Sequence, residues 1–234
     1  MNAYFLVNLI TFIIEYNVRI KHSNHRENKM KIAIIGTGNV GSALAEAWSS
    51  AGHTLLLGVR DQSNFKGKEL LSLENTSLHS IAEASSEAEL ILLSTPAINT
   101  IEVTKSLGDT TGKVIIDAMN IMMGKGPEGF TNTTDAILAH TSTKDVVKCF
   151  NTTGANNMQN PIYHEMGIDM FVAGESVKGK SIAKQLALDV GFAECYDVGG
   201  NDKFQLMEQF AFFWINLAMF KGQGREIAFK LLHR

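Results

Sequence analysis

Met30-Lys31-Ile32-Ala33-Ile34-Ile35-Gly36-Thr37-Gly38-Asn39-Val40-Gly41 decides the fold. Residues 31–35 are a short apolar run of the kind that forms a strand buried on both faces. A G-x-G-x-x-G loop follows at once. Residues 42–50 then place Leu44, Ala47 and Trp48 on one helical side, and Gly52 stops the helix. Gly36 permits the tight strand-to-helix turn. Gly38 lets the backbone approach a pyrophosphate with no side chain in the way, and Gly41 allows close helix–strand packing. Thr37, Asn39 and Val40 complete the loop. The first N–H groups of the helix and the positive end of its dipole face outward, towards phosphates. A glycine turn that binds nothing is the competing reading. The strand before it, the helix after it and the charged residues closing the next strand argue against it.

Downstream, the same alternation continues. Strands are predicted at 54–59, weakly around Leu78, and at 90–93, 113–117 and 146–150. Helical segments fall at 66–71, 80–86, 97–107 and 135–141. Strands separated by helix-sized segments imply parallel pairing with right-handed crossovers. The expected fold is α/β: a doubly wound (Rossmann) parallel sheet with a small C-terminal α+β extension. In that extension, strands at 170–173 and 194–197 flank a helix at 176–189 that Gly191 ends. An apolar helix at 202–220 repeats Phe204, Met207, Phe210, Ala211, Trp214, Leu217 and Ala218 every three or four residues.

Three regions follow. Residues 1–29 read as an N-terminal extension, non-native or disordered, with Met30 as the natural start. An interfacial or partner-binding helix is the competing reading. Residues 4–14 are too short an apolar run to span a membrane, with no basic leader before them and no small-residue cleavage site after them. Residues 30–150 read as the nucleotide-binding domain. Residues 151–234 read as a small domain for the second substrate and for dimerisation.

Composition narrows the function. A chain of 234 residues, 45% hydrophobic and 19% charged, suits one sizeable domain with an annex and argues against disorder. A net charge of −3 offers no basic field for nucleic acid or an anionic membrane. Two cysteines, Cys149 and Cys195, make no disulfide framework and fit a reducing cytosol, so a cytoplasmic location is expected. Cys149 lies in a predicted core strand and reads as packing rather than as a nucleophile. His53 reads as a surface turn. His79, His140 and His164 have no carboxylate at metal or triad spacing. No catalytic residue is assigned, and no metal. A missing acid–base set suits hydride exchange between two ring cofactors, which needs stacking and alignment above all.

The end of the second strand selects the cofactor. NAD-binding folds commonly place an acidic residue there for the ribose 2′-hydroxyl. This chain has Val59-Arg60-Asp61, and a guanidinium at Arg60 suits a 2′-phosphate, so NADP is favoured. Lys66 or Lys68 can add charge, whereas an inward Asp61 would oppose the phosphate. A solvated surface charge is the bland alternative for Arg60. Ser94-Thr95-Pro96 closes the fourth strand at the crevice edge. It suits the cofactor's pyrophosphate or ribose, or a helix start with Thr95 as cap and Pro96 first in the helix. Asn120 follows the fifth strand and suits either a nicotinamide contact or a turn. Asn151, opening Asn151-Thr152-Thr153-Gly154-Ala155, follows the sixth strand at the same edge.

From Met30 onward the chain resembles the NADP oxidoreductases dependent on coenzyme F-420. The resemblance is carried by the glycine loop, Ala51-Gly52-His53, Gly58-Val59-Arg60-Asp61, Val147-Lys148-Cys149-Phe150-Asn151-Thr152, and the tail from Trp214 through Gly224-Arg225-Glu226-Ile227-Ala228-Phe229-Lys230-Leu231-Leu232. It implies reversible hydride transfer between NADPH and a deazaflavin, usually in a homodimer, with FMN or FAD as other candidate partners. It also implies that Thr37 and Asn39 line the phosphate loop, that Arg60 meets the 2′-phosphate, that Ser94 and Pro96 lie near the nicotinamide, and that Asn151 lies near the deazaflavin. Val59 departs from the serine common in the family, and residues 121–130 match no pattern in it. The alternative is a non-catalytic NADP-binding sensor or partner protein. An imine or 2-hydroxyacid dehydrogenase would need a larger helical domain after Asn151. Phe212, Phe213 and Phe220 widen the apolar arc of the last helix, which suits a subunit interface.

Overall fold

Strand β1 (Lys31–Ile35) is buried from Ile32 onward, in the interior of an eight-stranded sheet. The computed structural model describes residues 29–234. The readings made for residues 1–28 lie outside the described residues. The other strands are β2 (Thr54–Val59), β3 (Thr76–Ser80), β4 (Leu90–Leu93), β5 (Val114–Asp117), β6 (Val146–Cys149), β9 (Asp169–Ala173) and β10 (Glu194–Gly199). Their order is β10-β9-β6-β5-β4-β1-β2-β3. All neighbours from β3 to β6 are parallel; β9 runs antiparallel to β6, and β10 parallel to β9. This is the expected doubly wound sheet with an added C-terminal portion, and residues Lys31–Arg234 form one compact unit.

The chain order reverses between β1 and β4, which is where such sheets open a crevice. Ile35 is in register with Gly58 on one side and Leu93 on the other; Leu93 is level with Asp117, and Asp117 with Lys148. The loops after β1, β2, β4, β5 and β6 therefore leave the sheet along one edge.

Helices α1 (Asn39–Ser50), α2 (Ile81–Glu87), α3 (Thr100–Ser106), α4 (Thr133–His140), α5 (Ala155–Gln159), α6 (Val177–Val190) and α7 (Phe204–Ile215) fill the connections. Ala33, Ile35, Leu56, Ile91, Leu93 and Ile115 pack against Ala84 of α2 and Ile137 of α4. Alternate strand residues such as Ile32 and Ile34 point to the other face. There α1 packs with α5 and α6. The buried Trp48 indole of α1 donates to the Leu186 carbonyl of α6 at 3.1 Å.

Local chemistry sets the helix ends. Ser80 and Glu83 form a reciprocal capping box on α2, and the Ser176 hydroxyl caps α6, which ends on a left-handed Gly191. The helix expected from 42 begins at Asn39, because the glycine loop itself is the cap. The segment expected as one helix at 97–107 starts as a 3-10 turn, Ala97–Asn99, where the Thr100 hydroxyl bonds back to the Ala97 carbonyl at 2.6 Å. The last helix widens into a π turn at Asn216–Phe220. A two-residue hairpin, β7 (Ile162–Tyr163) with β8 (Met166–Gly167), is too short to show a periodicity in the sequence. His53, expected on a surface turn, is instead buried, with Nε2 3.1 Å from Asp189 Oδ2 of α6.

After α7 the chain reverses and runs back as a strap. Asn156 Nδ2 donates to the Arg225 carbonyl at 2.9 Å, while Asn157 Nδ2 and Trp214 Nε1 donate to the Ile227 carbonyl at 2.8 and 2.7 Å. The Phe229 ring stacks on Phe210 at 4.7 Å, and the Leu231 amide donates to Asp169. Phe212, Phe213, Met219 and Phe220 stay exposed on the outside of α7 and its π turn. Among the described residues no helix is long and apolar enough to cross a membrane.

Candidate functional site

The three loop glycines meet three different surroundings. A Cβ on Gly36 (φ +105°) would lie 2.7 Å from the Ser94 carbonyl group and 2.9 Å from the Thr95 nitrogen. One on Gly41 would lie 1.9 Å from the Gly36 oxygen. Both positions are closed to any larger residue, because the loop is pressed against the end of β4 and the start of α1. At Gly38 a Cβ would meet nothing within 4 Å among the described residues, so their packing leaves this backbone bare. Gly38 caps α1 with no side-chain hydrogen bond, so among the described residues the first N–H groups of the helix have no side-chain capping acceptor. Ser94 Oγ donates to the Gly36 carbonyl at 2.7 Å and ties the loop to β4. Thr37 Oγ1 donates to the Lys66 carbonyl and ties it to the segment after β2.

A cleft of about 580 Å³ opens over this loop. It is lined by Thr37, Gly38 and Asn39 of the loop, by Lys66, whose carbonyl Thr37 holds, and by Asn156 and Arg225. Val40 sits in the first turn of α1. Arg60 lies just past the end of β2 with its side chain 82% exposed, and its guanidinium is 3.9 Å from Glu102. It is not among the residues that line this cleft. Asp61 does not oppose a phosphate from an inward position. Its carboxylate is exposed and accepts from the Ser63 hydroxyl and amide, which hold its pKa below the ordinary value. Lys68 donates to the Ser63 carbonyl at 2.7 Å, so Lys66 is the lysine left at the cleft.

Ser94 and Thr95 meet the glycine loop at the edge, but the helix start expected there differs. Pro96 is the cap of the 3-10 turn, and the Thr95 hydroxyl turns to the Met119 sulfur at 3.3 Å. Asn120 and Asn151 are brought together. Asn120 Nδ2 donates to the Asn151 carbonyl at 2.7 Å, and Asn151 Nδ2 donates to Asn120 Oδ1 at 2.9 Å and to the Met207 carbonyl. Phe150, between β6 and Asn151, has φ +61°, a strained conformation for a non-glycine residue, at a cost of about 1–3 kcal/mol. Its buried ring is wedged between Trp48 and Phe192, which holds the turn that presents Asn151.

Below this edge lies a polar cluster that the sequence reading missed. Lys148 is fully buried in β6. Its Nζ lies 3.0 Å from Asp117 Oδ2, 2.9 Å from Glu208 Oε1 and 3.0 Å from the Met119 carbonyl. The Thr133 and Thr134 hydroxyls donate to Asp117, and the Ile121 amide donates to Glu208. Burial favours the neutral amine, but the two carboxylates outweigh it and raise the Lys148 pKa above its ordinary value. A lysine in an otherwise apolar strand was the available signal; its carboxylates are far away in sequence. Cys149 is buried and inert, its thiol pushed well up by burial and by the Cys195 thiol beside it.

Residues 31–121 match the family profile described as NADP oxidoreductase coenzyme F420-dependent. In fold, the chain is similar to a candidate F420-dependent NADP-reductase from Arthrobacter sp. FB24, at 24% identity and TM-score 0.75, over 87% of this chain and 100% of that one. It is also similar to a hypothetical protein from Sinorhizobium meliloti, at 23% identity and TM-score 0.61, over 73% and 85% of the two chains. A reductive aminase from Aspergillus terreus, in complex with NADPH and ethyl levulinate, matches at 16% identity and TM-score 0.60, over 83% of this chain and 63% of the aminase. Over residues 31–121 the chain is thus similar to the NADP oxidoreductases dependent on coenzyme F-420, and its fold is that of the solved structures above.

Proposed function

We propose that this chain binds NADPH along the edge formed by the ends of β1, β2 and β4, and passes a hydride between it and a flavin or deazaflavin ring. The observation that carries this reading is the bare Gly38 backbone at the uncapped start of α1, opening on a cleft of about 580 Å³. That arrangement fits a pyrophosphate, for which backbone N–H groups and the helix dipole are the natural partners. Arg60 is exposed at the end of β2 and free to reach a 2′-phosphate. Bound there, the nicotinamide supplies the hydride. Ser94, Thr95 and Pro96 shape the edge beside it, and the Asn120–Asn151 pair shapes the next stretch, where the acceptor ring is assigned.

The buried cluster supports ring-to-ring transfer over carbonyl reduction. Asp117 and Glu208 are engaged by Lys148 and by hydroxyl and amide donors, and Lys148 is fully enclosed. None of the three faces the crevice as a proton donor. We assign the exposed face of α7, with Phe212, Phe213 and Phe220, to a two-fold contact with a second copy, and place the protein with its two free thiols in the cytosol.

Stopped-flow oxidation of NADPH with a deazaflavin, FMN and FAD as separate acceptors tests the reaction. Turnover of one acceptor supports it. Tight NADPH binding with no acceptor reduced overturns it in favour of a non-catalytic NADP-binding protein. A monomeric mass by light scattering would remove the dimer.

A further inference from the structure

One residue lining the loop cleft, Arg225, comes from the far end of the chain. The strap after α7 is pinned by two side chains of α5 and one of α7. Asn156 Nδ2 donates to the Arg225 carbonyl and to Glu226 Oε1, both at 2.9 Å. Asn157 Nδ2 and Trp214 Nε1 both donate to the Ile227 carbonyl. Asn157 is itself held by the Tyr163 hydroxyl at 2.8 Å and by Thr153. These bonds fix the backbone of Arg225 while leaving its side chain exposed. Among the described residues the guanidinium has no ion-pair partner. Yet Arg225 lines the same cleft as Thr37, Gly38 and Asn39.

We infer that Arg225 is a phosphate-binding residue of the dinucleotide site, closing over a pyrophosphate held by the glycine loop. The inference rests on the nucleotide reading above and adds a residue to it. Lys66 is the other cation at this cleft. Glu46 and Glu69 also line it, so the cleft without ligand is balanced in charge. Glu46 lies two helical turns along α1 from the loop, about 10 Å from its N-terminus. That leaves the glycine end as the anion's place. A planar guanidinium donates two parallel N–H bonds to a phosphate, which an ammonium does not. The pyrophosphate is the source assigned, rather than the 2′-phosphate, because Arg225 shares its cleft with Gly38 and not with Arg60.

Fluorescence titration of the full chain with NADPH and with NADH tests this, on wild type, Arg225→Ala, Arg225→Lys and Arg60→Ala. Arg225→Ala is expected to weaken both nucleotides alike, by about 10- to 100-fold. Arg225→Lys is expected to recover part of that loss, with melting temperatures unchanged because the side chain is exposed. Unchanged affinity for both nucleotides in Arg225→Ala would overturn the inference and leave the nucleotide reading intact. A loss confined to NADPH would overturn the pyrophosphate assignment in favour of the 2′-phosphate. A wild-type chain that binds neither nucleotide would overturn both the inference and the reading beneath it.

Discussion

Lys148 and Asp117 stand side by side on β6 and β5, Nζ 3.0 Å from Oδ2, with neither side chain exposed to solvent. With Glu208 of α7 they join two strands and a helix beneath the crevice edge. Removing the cation alone strands two buried carboxylates. Lys148→Met is therefore expected to lower the free energy of unfolding by about 3–5 kcal/mol in urea titrations. Adding Asp117→Asn and Glu208→Gln to the same chain is expected to recover part of that loss. A triple variant less stable than the single one would show that the cluster's value is not electrostatic.

The same cluster predicts a dependence on alkaline pH. The folded-state pKa of Lys148 is raised above its ordinary value of 10.5, so the unfolded chain loses this proton first as pH rises. The stability that Lys148 contributes is complete below about pH 10.5 and is lost as pH climbs through the higher folded value. Urea midpoints of wild type and Lys148→Met, compared from pH 8 to 11, are expected to differ by a constant amount up to about pH 10.5 and to start drawing together only above it.

Gly38 and Gly41 separate binding from folding. Gly41→Ala drives a Cβ to within 1.9 Å of the Gly36 oxygen and is expected to cost about 2 kcal/mol or more in thermal unfolding. Gly38→Ala meets nothing within 4 Å and is expected to melt with wild type. Its methyl group stands where the pyrophosphate is proposed, so calorimetric titration with NADPH is expected to show at least tenfold weaker binding.

Arg60 provides a test of cofactor choice. Its side chain is exposed, with only a 3.9 Å approach to Glu102, so Arg60→Ala leaves stability unchanged. Affinity for NADPH is expected to fall about tenfold or more while that for NADH holds, because only the 2′-phosphate loses a partner. Equal losses for both nucleotides would remove the 2′-phosphate assignment.

Much of the scaffold was legible because it depends on local pattern. The apolar run 31–35, the glycine spacing after it and the alternation that follows determine strands, crossovers and the edge where the loops emerge. Parallel strands buried on both faces leave an uninterrupted hydrophobic signal that a single sequence displays. The two-residue hairpin and the π turn show no such period, and the early start of α1 is set by the loop acting as its own cap.

Tertiary structure alone decided the rest. Lys148, Asp117 and Glu208 meet only after β5, β6 and α7 are docked, and no spacing along the chain encodes that meeting. His53 is buried because α6 packs over it, and the Asn120–Asn151 pair forms because Phe150 is held in a left-handed turn by Trp48 and Phe192. Arg225 lines the same cleft as the glycine loop because α5 and Trp214 pin the returning strap. Short-range periodicity determines which segments are strands and helices. Long-range hydrogen bonds and buried charge determine which side chains share a cleft, because those contacts depend on distance in space and not on distance along the chain.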